Sequence, residues 1–426
     1  MIFPIQSKVK RSNAQKLFGC IGSQVKGLLP VLSGVKVMVK KGKRCKPKKN
    51  SGVDHVLQCL AAKLCGHKSD YEMTAPKTPK TLKKLGVHFL QKSTHYDNVE
   101  NIDANSVWQV KAQLLQRCFA LPEQLTVMLD SWPDKIKGEY EAKRAGYIGR
   151  EKGQSVTGDC HQLFSATLAG LKQHLYELRC PGNYVAFSNP KEQDDCKLSG
   201  LNFEDTIAVN VVKKVHALYP KKRFLWLFDR GFGDHNFWAW LKEIGDDFVT
   251  ALDSNAECVK QEQRLIDSGA VVLKKSTNFD YHETIMQVNG MKLKAVYVKP
   301  HDNVPSYWLV TTRHDLTGEE IKKTYNVRSG DEPVYDYLKN DFNAKKPCKK
   351  NFAGAQAHTA LLCLVHDIIS LLSQQIFGAY HRLPTIVAFI IELTALELLF
   401  LPTPKKQFRT PPPITCIAIG MQKNNK

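Results

Sequence analysis

Two short apolar segments that each end in an aspartate constrain the fold of this chain more than any other feature. They are QLTVMLD (Gln124–Asp130) and RFLWLFD (Arg223–Asp229). A short apolar run without alternation indicates a buried strand. A carboxylate with buried neighbours is unfavourable unless a cation binds it, so Asp130 and Asp229 are candidate metal ligands. The alternative for each is an aspartate that only caps the turn or helix after its strand.

The segments around these two strands predict a mixed α/β fold. Helices are predicted at Asp205–Ala217 and Asn236–Ile244, and a further strand at Phe248–Leu252. Residues 268–312 contain four successive strand-like segments, with Asn289-Gly290 as a hairpin turn. Strands first and alternating strands and helices afterwards indicate a mixed sheet with helices on its faces.

The N-terminal part of the chain is basic. Residues 1–50 contain no Asp or Glu, and the whole chain has 61 Lys and Arg against 41 Asp and Glu, a formal charge of +20. Such a charge favours a polyanionic partner. Residues 1–50 are expected to be a flexible arm, either a solubilising tail or a nucleic-acid-binding segment. Residues 51–120 are expected to form a small helical region, with helices at Val53–Leu64 and Asn105–Phe119.

A third signal is the spacing of four residues in YNVRSGDEPVYDYLK, namely Tyr325, Arg328, Glu332 and Lys339. On a helix the first three fall at i, i+3 and i+7, near one face, and Lys339 repeats that face two turns on. An acid for a metal and bases for phosphate suit a DNA-cutting site. Proline disfavours helical conformation in the residue before it, so a helix that begins at Pro333 would remove Glu332 from this face. Asp331 is then the alternative third ligand.

These motifs resemble those of the DDE transposases of bacterial insertion sequences, which have an RNase H-like catalytic core. The last catalytic block of that family carries the same Tyr-Arg-Glu-Lys signature, and DRGFGDHNFWAWLKEIGDDFVTALDSN (Asp229–Asn255) resembles its second block. KGEYEAKRAGYIGREKG (Lys137–Gly153) resembles the stretch after the first aspartate. Asp130-Ser131-Trp132 departs from the usual Asp-Asp-Thr. The similarity covers roughly residues 120–375.

The resemblance implies roles for the candidate residues. Asp130, Asp229 and Glu332 would hold two Mg²⁺ ions, with Mn²⁺ as a substitute. Arg328 and Lys339 would contact DNA phosphates, and Tyr325 would support the same surface. The implied partner is double-stranded DNA, both transposon ends and target, bound by a homodimer in a bacterial-type cytoplasm at the nucleoid.

The implied function is transposition, by Mg²⁺-dependent cleavage at transposon ends and strand transfer into target DNA. The alternatives are a nuclease on the same fold without strand transfer and an inactive, transposase-derived DNA-binding protein. The predicted division is a basic arm (1–50), a helical DNA-end-binding region (51–120), an RNase H-like core (121–255), a β-rich insertion (256–318), the last core helices (319–375) and a C-terminal helical region and tail (376–426).

One segment, LPTIVAFIIELTALELLFLP (Leu383–Pro402), is apolar enough to suggest a membrane span. Glu392 and Glu397 lie inside it, and each is unfavourable at membrane depth, so a buried or partner-facing helix is the favoured interpretation and no membrane partner is expected. The twelve cysteines include no C-x-x-C pair, and the first residues contain no secretory signal. Both observations favour a reducing compartment.

Overall fold

The computed structural model divides the chain into two compact units, each of which is described by itself. We call Pro122–Lys137 with Ala142–Tyr335 the sheet unit, and Met1–Leu121 with Gly138–Glu141 and Asp336–Lys426 the helical unit. The residues described are 23–38, 51–64, 98–136, 138–141, 143–151, 154–170, 173–181, 203–253, 256–288, 290–302, 304–329, 337–342, 350–377 and 386.

The sheet unit contains ten strands and four helices within its described residues. In chain order they are β1 (Gln124–Lys135), β2 (Arg144–Glu151), β3 (Gln154–Leu168), β4 (Gln173–Pro181), α3 (Phe203–Leu218), β5 (Arg223–Phe228), α4 (His235–Glu243), β6 (Asp247–Leu252), α5 (Glu257–Asp267), β7 (Lys274–Lys275), β8 (Phe279–Val288), β9 (Met291–Pro300), β10 (Tyr307–Thr311) and α6 (Gly318–Ser329). The helical unit contains α1 (Gly52–Leu64), α2 (Ala104–Cys118), a π-helical turn (Tyr337–Asp341) and α7 (Phe352–Phe377).

The central strands confirm the predicted mixed sheet flanked by helices. β3 pairs antiparallel with both β4 and β1, and β1 pairs parallel with β5, which pairs parallel with β6. Parallel neighbours need a crossover connection. Helices α3, before β5, and α4, between β5 and β6, lie in these connections, as the predicted alternation of strands and helices requires.

The β-rich block extends this sheet instead of forming a separate body. β10 pairs antiparallel with β6, and β9, β8 and β7 follow outward from it, so that ten strands form one sheet. The hairpin turn predicted between β8 and β9 is present, with Gly290 at φ +80°. The first predicted strand of the block, GAVVLKK, is reduced to Lys274–Lys275.

Strand β5 is buried on both faces because each face has its own cover. Phe228 contacts the rings of Phe237 and Phe248 on the face covered by α4. On the other face Leu225 and Leu227 share a buried cluster with Ile321 of α6. Successive side chains of a strand point to opposite faces, which is why the run FLWLF after the exposed Arg223 is apolar throughout.

The helical unit is joined internally by buried polar contacts. The Asp103 side chain caps α2 by accepting a hydrogen bond from the Asn105 amide at 3.0 Å. Lys111 of α2 forms an ion pair with Asp367 of α7, and both side chains are fully buried. Lys63 of α1 donates to the carbonyl oxygen of Phe342 at 2.8 Å. These contacts fix α1, α2 and α7 around one core.

Part of the expected flexible arm is folded, which corrects the expectation for residues 1–50. A helical segment occupies residues 23–32, and Leu28 and Leu32 in it are buried. Val37 bridges to Ile102, and a Cβ on Gly52 would lie 2.2 Å from the carbonyl oxygen of Val35, so only glycine fits there. The prediction failed because a charge averaged over fifty residues conceals the apolar run at 25–35.

The membrane-like segment Leu383–Pro402 lies outside the described residues, apart from Ile386. The one candidate span among the described residues is Phe352–Gln375 in α7, which is long and apolar enough by length and composition. However, 94% of its apolar window is buried inside the protein, as is usual for a core helix of a soluble protein. Its length and composition are therefore weak evidence for a membrane.

Candidate active site

The parallel pairing of β1 and β5 places Asp130 and Asp229 side by side. The last paired residues of the two strands are Met128 and Leu227, and each aspartate follows two residues later. Side chains two positions apart share a face, and neighbouring strands lie about 4.8 Å apart. The two carboxylates therefore project from the same face at the same level. This is the face that α6 covers.

Asp130 does not terminate its strand, contrary to the prediction. β1 continues to Lys135 and remains paired with β3, with Asp130 opposite Ser165. By contrast, β5 does end at Phe228, one residue before Asp229. Beyond Met128, β1 has lost its parallel neighbour, and this opens the space beside Asp130. The end of β5, and not the end of β1, creates the site.

Backbone amides orient one oxygen of each carboxylate. The Ser131 amide donates to Asp130 Oδ1 at 2.8 Å, and the Gly231 amide donates to Asp229 Oδ1 at 2.8 Å. The Thr250 hydroxyl also donates to the carbonyl oxygen of Asp229 at 3.2 Å. The turn-capping role weighed for these aspartates is thus present, but it uses only one oxygen of Asp229. The other oxygen faces a side chain of α6.

Helix α6 brings Tyr325 and Arg328 to the carboxylates. Ile321 anchors the helix in the core, and Tyr325, one turn later, packs against the same cluster. Arg328 follows, with its guanidinium nitrogen 3.4 Å from Asp229 Oδ2 and its central carbon 6.0 Å from the centre of the Tyr325 ring. The side chains of Arg328 and Asp229 remain 26% and 41% exposed, so the pair is accessible to a ligand.

The electrostatics of Tyr325 link it to both aspartates. Burial raises the pKa of its hydroxyl and the nearby Arg328 lowers it, while the charges of Asp229 and Asp130 raise it, and the net result is a raised pKa. Tyr325 therefore keeps its proton well beyond neutral pH and can act as a hydrogen-bond donor. Because both aspartates influence one hydroxyl, the three groups belong to one site.

The remaining predicted site residues stay predictions. Helix α6 is described as far as Ser329, and both Glu332 and its alternative Asp331 lie outside the described residues. Lys339 falls in the π-helical turn Tyr337–Asp341 in the helical unit. Residues 330–336, between α6 and this turn, are outside the described residues, so the predicted common face of Lys339 and Tyr325 is untested.

The β-rich block holds the start of α6, a role that the sequence analysis missed. Glu283 of β8 accepts a hydrogen bond from the Gly318 amide at 3.0 Å and forms an ion pair with Lys294 at 2.9 Å. Burial raises the pKa of Glu283, but these partners and Lys274 outweigh it and hold the pKa at about 2. Thr317 and Glu320 add a reciprocal capping box, whose T-x-x-E pattern was the available sequence signal.

The donor set of Asp130 and Asp229 fits a divalent cation. Two carboxylates from neighbouring strands offer the hard oxygen ligands that such ions prefer. The group nearest to Asp229 Oδ2 in the contacts described is itself a cation, the Arg328 guanidinium, so positive charge is already favoured at this position. The partial exposure of Asp229 leaves room for the water that Mg²⁺ retains.

Comparison with known proteins gives one family match and one structural neighbour. Residues 204–368 match the family model described as the transposase DDE domain. The match covers less than half of the chain, and these residues are similar to that domain. No curated protein matches the sequence of the whole chain. Among solved structures, the piggyBac transposase in its synaptic complex with hairpin DNA is similar over 93% of this chain and 83% of that chain, with 13% sequence identity and a TM-score of 0.45.

The DDE domain match bears on part of the site. It includes Asp229, Tyr325, Arg328 and Glu332, whereas Asp130 precedes the matched residues. Transposases of the DDE kind generally use divalent metal ions. The pairing of β1 with β5 is therefore what places Asp130 beside the matched part of the site.

Proposed function

We propose that the chain is a transposase that cleaves DNA at transposon ends in a Mg²⁺-dependent reaction and transfers the freed strand into target DNA. The supporting observation is the pair of carboxylates, Asp130 and Asp229, at one level on neighbouring parallel strands. Arg328 beside Asp229 adds a phosphate-binding cation at the same place.

Asp130, Asp229 and Glu332 would hold two Mg²⁺ ions, for which Mn²⁺ can substitute. When bound, such ions activate a water or hydroxyl nucleophile and stabilise the leaving oxygen of a phosphodiester. The side-chain hydrogen bonds to the Ser131 and Gly231 amides would keep the two aspartates in position during this chemistry.

Arg328, Lys339 and Tyr325 would act on the DNA. A guanidinium binds a phosphate through paired hydrogen bonds, and Arg328 already lies at the carboxylate that the scissile phosphate must approach. Tyr325 keeps its proton because its pKa is raised, so its hydroxyl would donate a hydrogen bond to a phosphate or sugar oxygen. Lys339 would supply a further charge.

The proposed partner is double-stranded DNA, bound by a homodimer that brings two transposon ends together. The net charge of +20 favours such a partner. The cell compartment would be a bacterial-type cytoplasm, at the nucleoid, without membrane attachment. The helical region at 51–120 would contribute to recognition of the DNA ends.

The test is DNA cleavage and strand transfer by the full chain with Mg²⁺, using DNA that carries the element's own ends. Asp130→Asn and Asp229→Asn should each lower the rate on the order of a thousandfold, because each removes a ligand of the metal ions that activate the nucleophile and stabilise the leaving oxygen. Glu243→Gln, at an exposed glutamate that ends α4, is the matched control and should leave the rate unchanged.

Two substrates separate the alternatives. A pre-cleaved end with a 3′-hydroxyl should be joined to target DNA, and cleavage without joining would identify a nuclease. Binding without either reaction would identify an inactive DNA-binding protein. Glu332→Gln should lower the rate as Asp229→Asn does, and if Asp331→Asn does so instead, Asp331 is the third ligand.

A further inference from the structure

A basic cavity lies at the end of the sheet where β5 and β6 finish. It has a volume of about 520 Å³, within the range of ordinary ligand sites. Arg230, which directly follows Asp229, forms part of its lining, together with Lys260 and Arg264 of α5. Tyr307 and Trp308, at the start of β10, line another side.

The charge of the cavity is unbalanced. Three cations line it against one acid, Asp267, which already accepts a hydrogen bond from Gln263 at 2.9 Å. Within the described part of the chain, Arg230 and Arg264 form no ion pair, and Lys260 has only a distant partner, Glu257 at 3.9 Å. Three exposed cations that are not neutralised locally attract a polyanion.

The aromatic wall of the cavity is held rigidly. Trp308 is 3% exposed, packs against the tilted ring of Tyr297 with 5.3 Å between ring centres, and donates its indole N–H to the Gln263 side-chain oxygen at 3.4 Å. The cations, in contrast, lie on the outside of α5 and in the turn after β5. A buried aromatic side chain with long, exposed cationic side chains around it suits an extended, highly charged chain. A small anion would instead need several donors fixed in position.

The position of the cavity relates it to the carboxylates. Trp308 is paired with Leu252, which lies on the face of the sheet opposite to the face of Val249, Leu227 and Asp229. Trp308 thus lines the cavity from the face opposite to the carboxylates, whereas Tyr307 packs against the buried cluster on the carboxylate face, so the cavity lies at the end of the sheet and is lined from both faces. Asp229 and Arg230 are adjacent residues, with Cα atoms about 3.8 Å apart. A strand that crosses this end of the sheet would meet both.

We propose that Arg230, Lys260 and Arg264 bind the phosphodiester backbone of a DNA strand and guide it across the end of the sheet to Asp229. The part of this proposal that leads the strand to Asp229 rests on the proposed function. The binding of DNA by the three cations requires neither a metal ion nor cleavage. It assigns α5 and the start of β10 to DNA contact, in addition to α6.

The experiment measures the affinity of the full chain for labelled duplex DNA in EDTA, as a function of salt. The slope of the logarithm of the binding constant against the logarithm of the salt concentration should be less steep by about 3 in the triple variant Arg230→Gln, Lys260→Gln and Arg264→Gln. Each lost phosphate contact removes about one released counterion. The melting temperature of this variant should match that of the wild type, since all three side chains are exposed.

A second triple variant removes the same charge elsewhere. Lys213→Gln, Lys214→Gln and Lys242→Gln change exposed residues of α3 and α4 that do not line the cavity, and this variant should keep most of the wild-type slope. An unchanged slope in the cavity variant, or an equal loss in both variants, would overturn the proposal.

Asp229→Asn separates this proposal from the proposed function. If it abolishes cleavage while the cavity variant binds as the wild type does, the cavity assignment fails and the transposase assignment stands. If cleavage is unaffected by Asp229→Asn while the cavity variant loses its slope, the DNA site stands and the catalytic assignment fails.

Discussion

A cation and a carboxylate form an ion pair in each unit of the molecule, and the two pairs differ in their surroundings. In the helical unit, Lys111 and Asp367 are both 0% exposed and join α2 to α7. In the sheet unit, Arg328 and Asp229 are 26% and 41% exposed and lie 3.4 Å apart. A buried pair cannot exchange its partner for water or a ligand, whereas a half-exposed pair can.

The comparison indicates which pair serves the fold and which serves a site. Removal of one partner from a buried pair leaves an uncompensated charge, which is strongly destabilising. An exposed pair contributes little to stability because water screens it. Asp229 and Arg328 are therefore accessible to a ligand, as their proposed roles require, while Lys111 and Asp367 are shielded from solvent.

The largest expected effect on stability is that of Lys111→Met. It leaves Asp367 buried without its cation and should lower the free energy of unfolding by about 3–5 kcal/mol. The double variant Lys111→Met with Asp367→Leu should recover most of this loss, because an apolar pair needs no compensation. Urea unfolding followed by circular dichroism measures both, and a loss below about 1 kcal/mol in the single variant would contradict the structural role.

An intermediate effect is expected at Glu283, whose side chain is 17% exposed and whose partner Lys294 is 13% exposed. Its pKa is depressed to about 2 from 4.5, so its contribution to stability is fully present above pH 4.5 and is lost as the pH falls towards about 2. The difference in unfolding free energy between the wild type and Glu283→Gln should shrink over that window. A constant difference would show that Glu283 acts through packing alone.

The smallest effect on stability is expected at the proposed site. Arg328→Gln should change the unfolding free energy by less than about 1 kcal/mol, yet lower the rate of DNA cleavage by about tenfold or more. Arg223→Gln is the control, because Arg223 and its partner Glu123 are 73% and 77% exposed, and it should alter neither quantity. If Arg328→Gln strongly destabilises the protein but leaves the cleavage rate of the folded fraction unchanged, the Arg328–Asp229 pair serves the fold as the Lys111–Asp367 pair does.

Prediction from the sequence succeeded where burial is local. The segment FLWLF is apolar throughout because both faces of β5 are covered, and its strand ends at Phe228, one residue before the predicted end at Asp229. Prediction failed at β1, which was expected to end at Asp130 but continues through Pro133 to Lys135. Beyond Met128 the strand pairs with β3 only, so a residue without an N–H is tolerated there.

The candidate site shows the same division. Tyr325 and Arg328 could be placed on one helical face from their spacing, since i and i+3 positions are neighbours on any helix. The predicted positions of Glu332 and Lys339 on that face stay untested, because residues 330–336 lie outside the described residues. The hydrogen bond from the Gly318 amide to Glu283 joins residues 35 positions apart, and no local sequence pattern predicts such a contact.

The amino-acid sequence by itself determined which segments are buried strands, which acids follow them and which turns and caps begin the helices, because these depend on side chains within a few residues of one another. The tertiary structure decided that Asp130 and Asp229 stand at one level, that α6 covers them and that the β-rich block continues the sheet. Strand register between segments a hundred residues apart depends on the packing of all their neighbours at once, and that is a property of the assembled core.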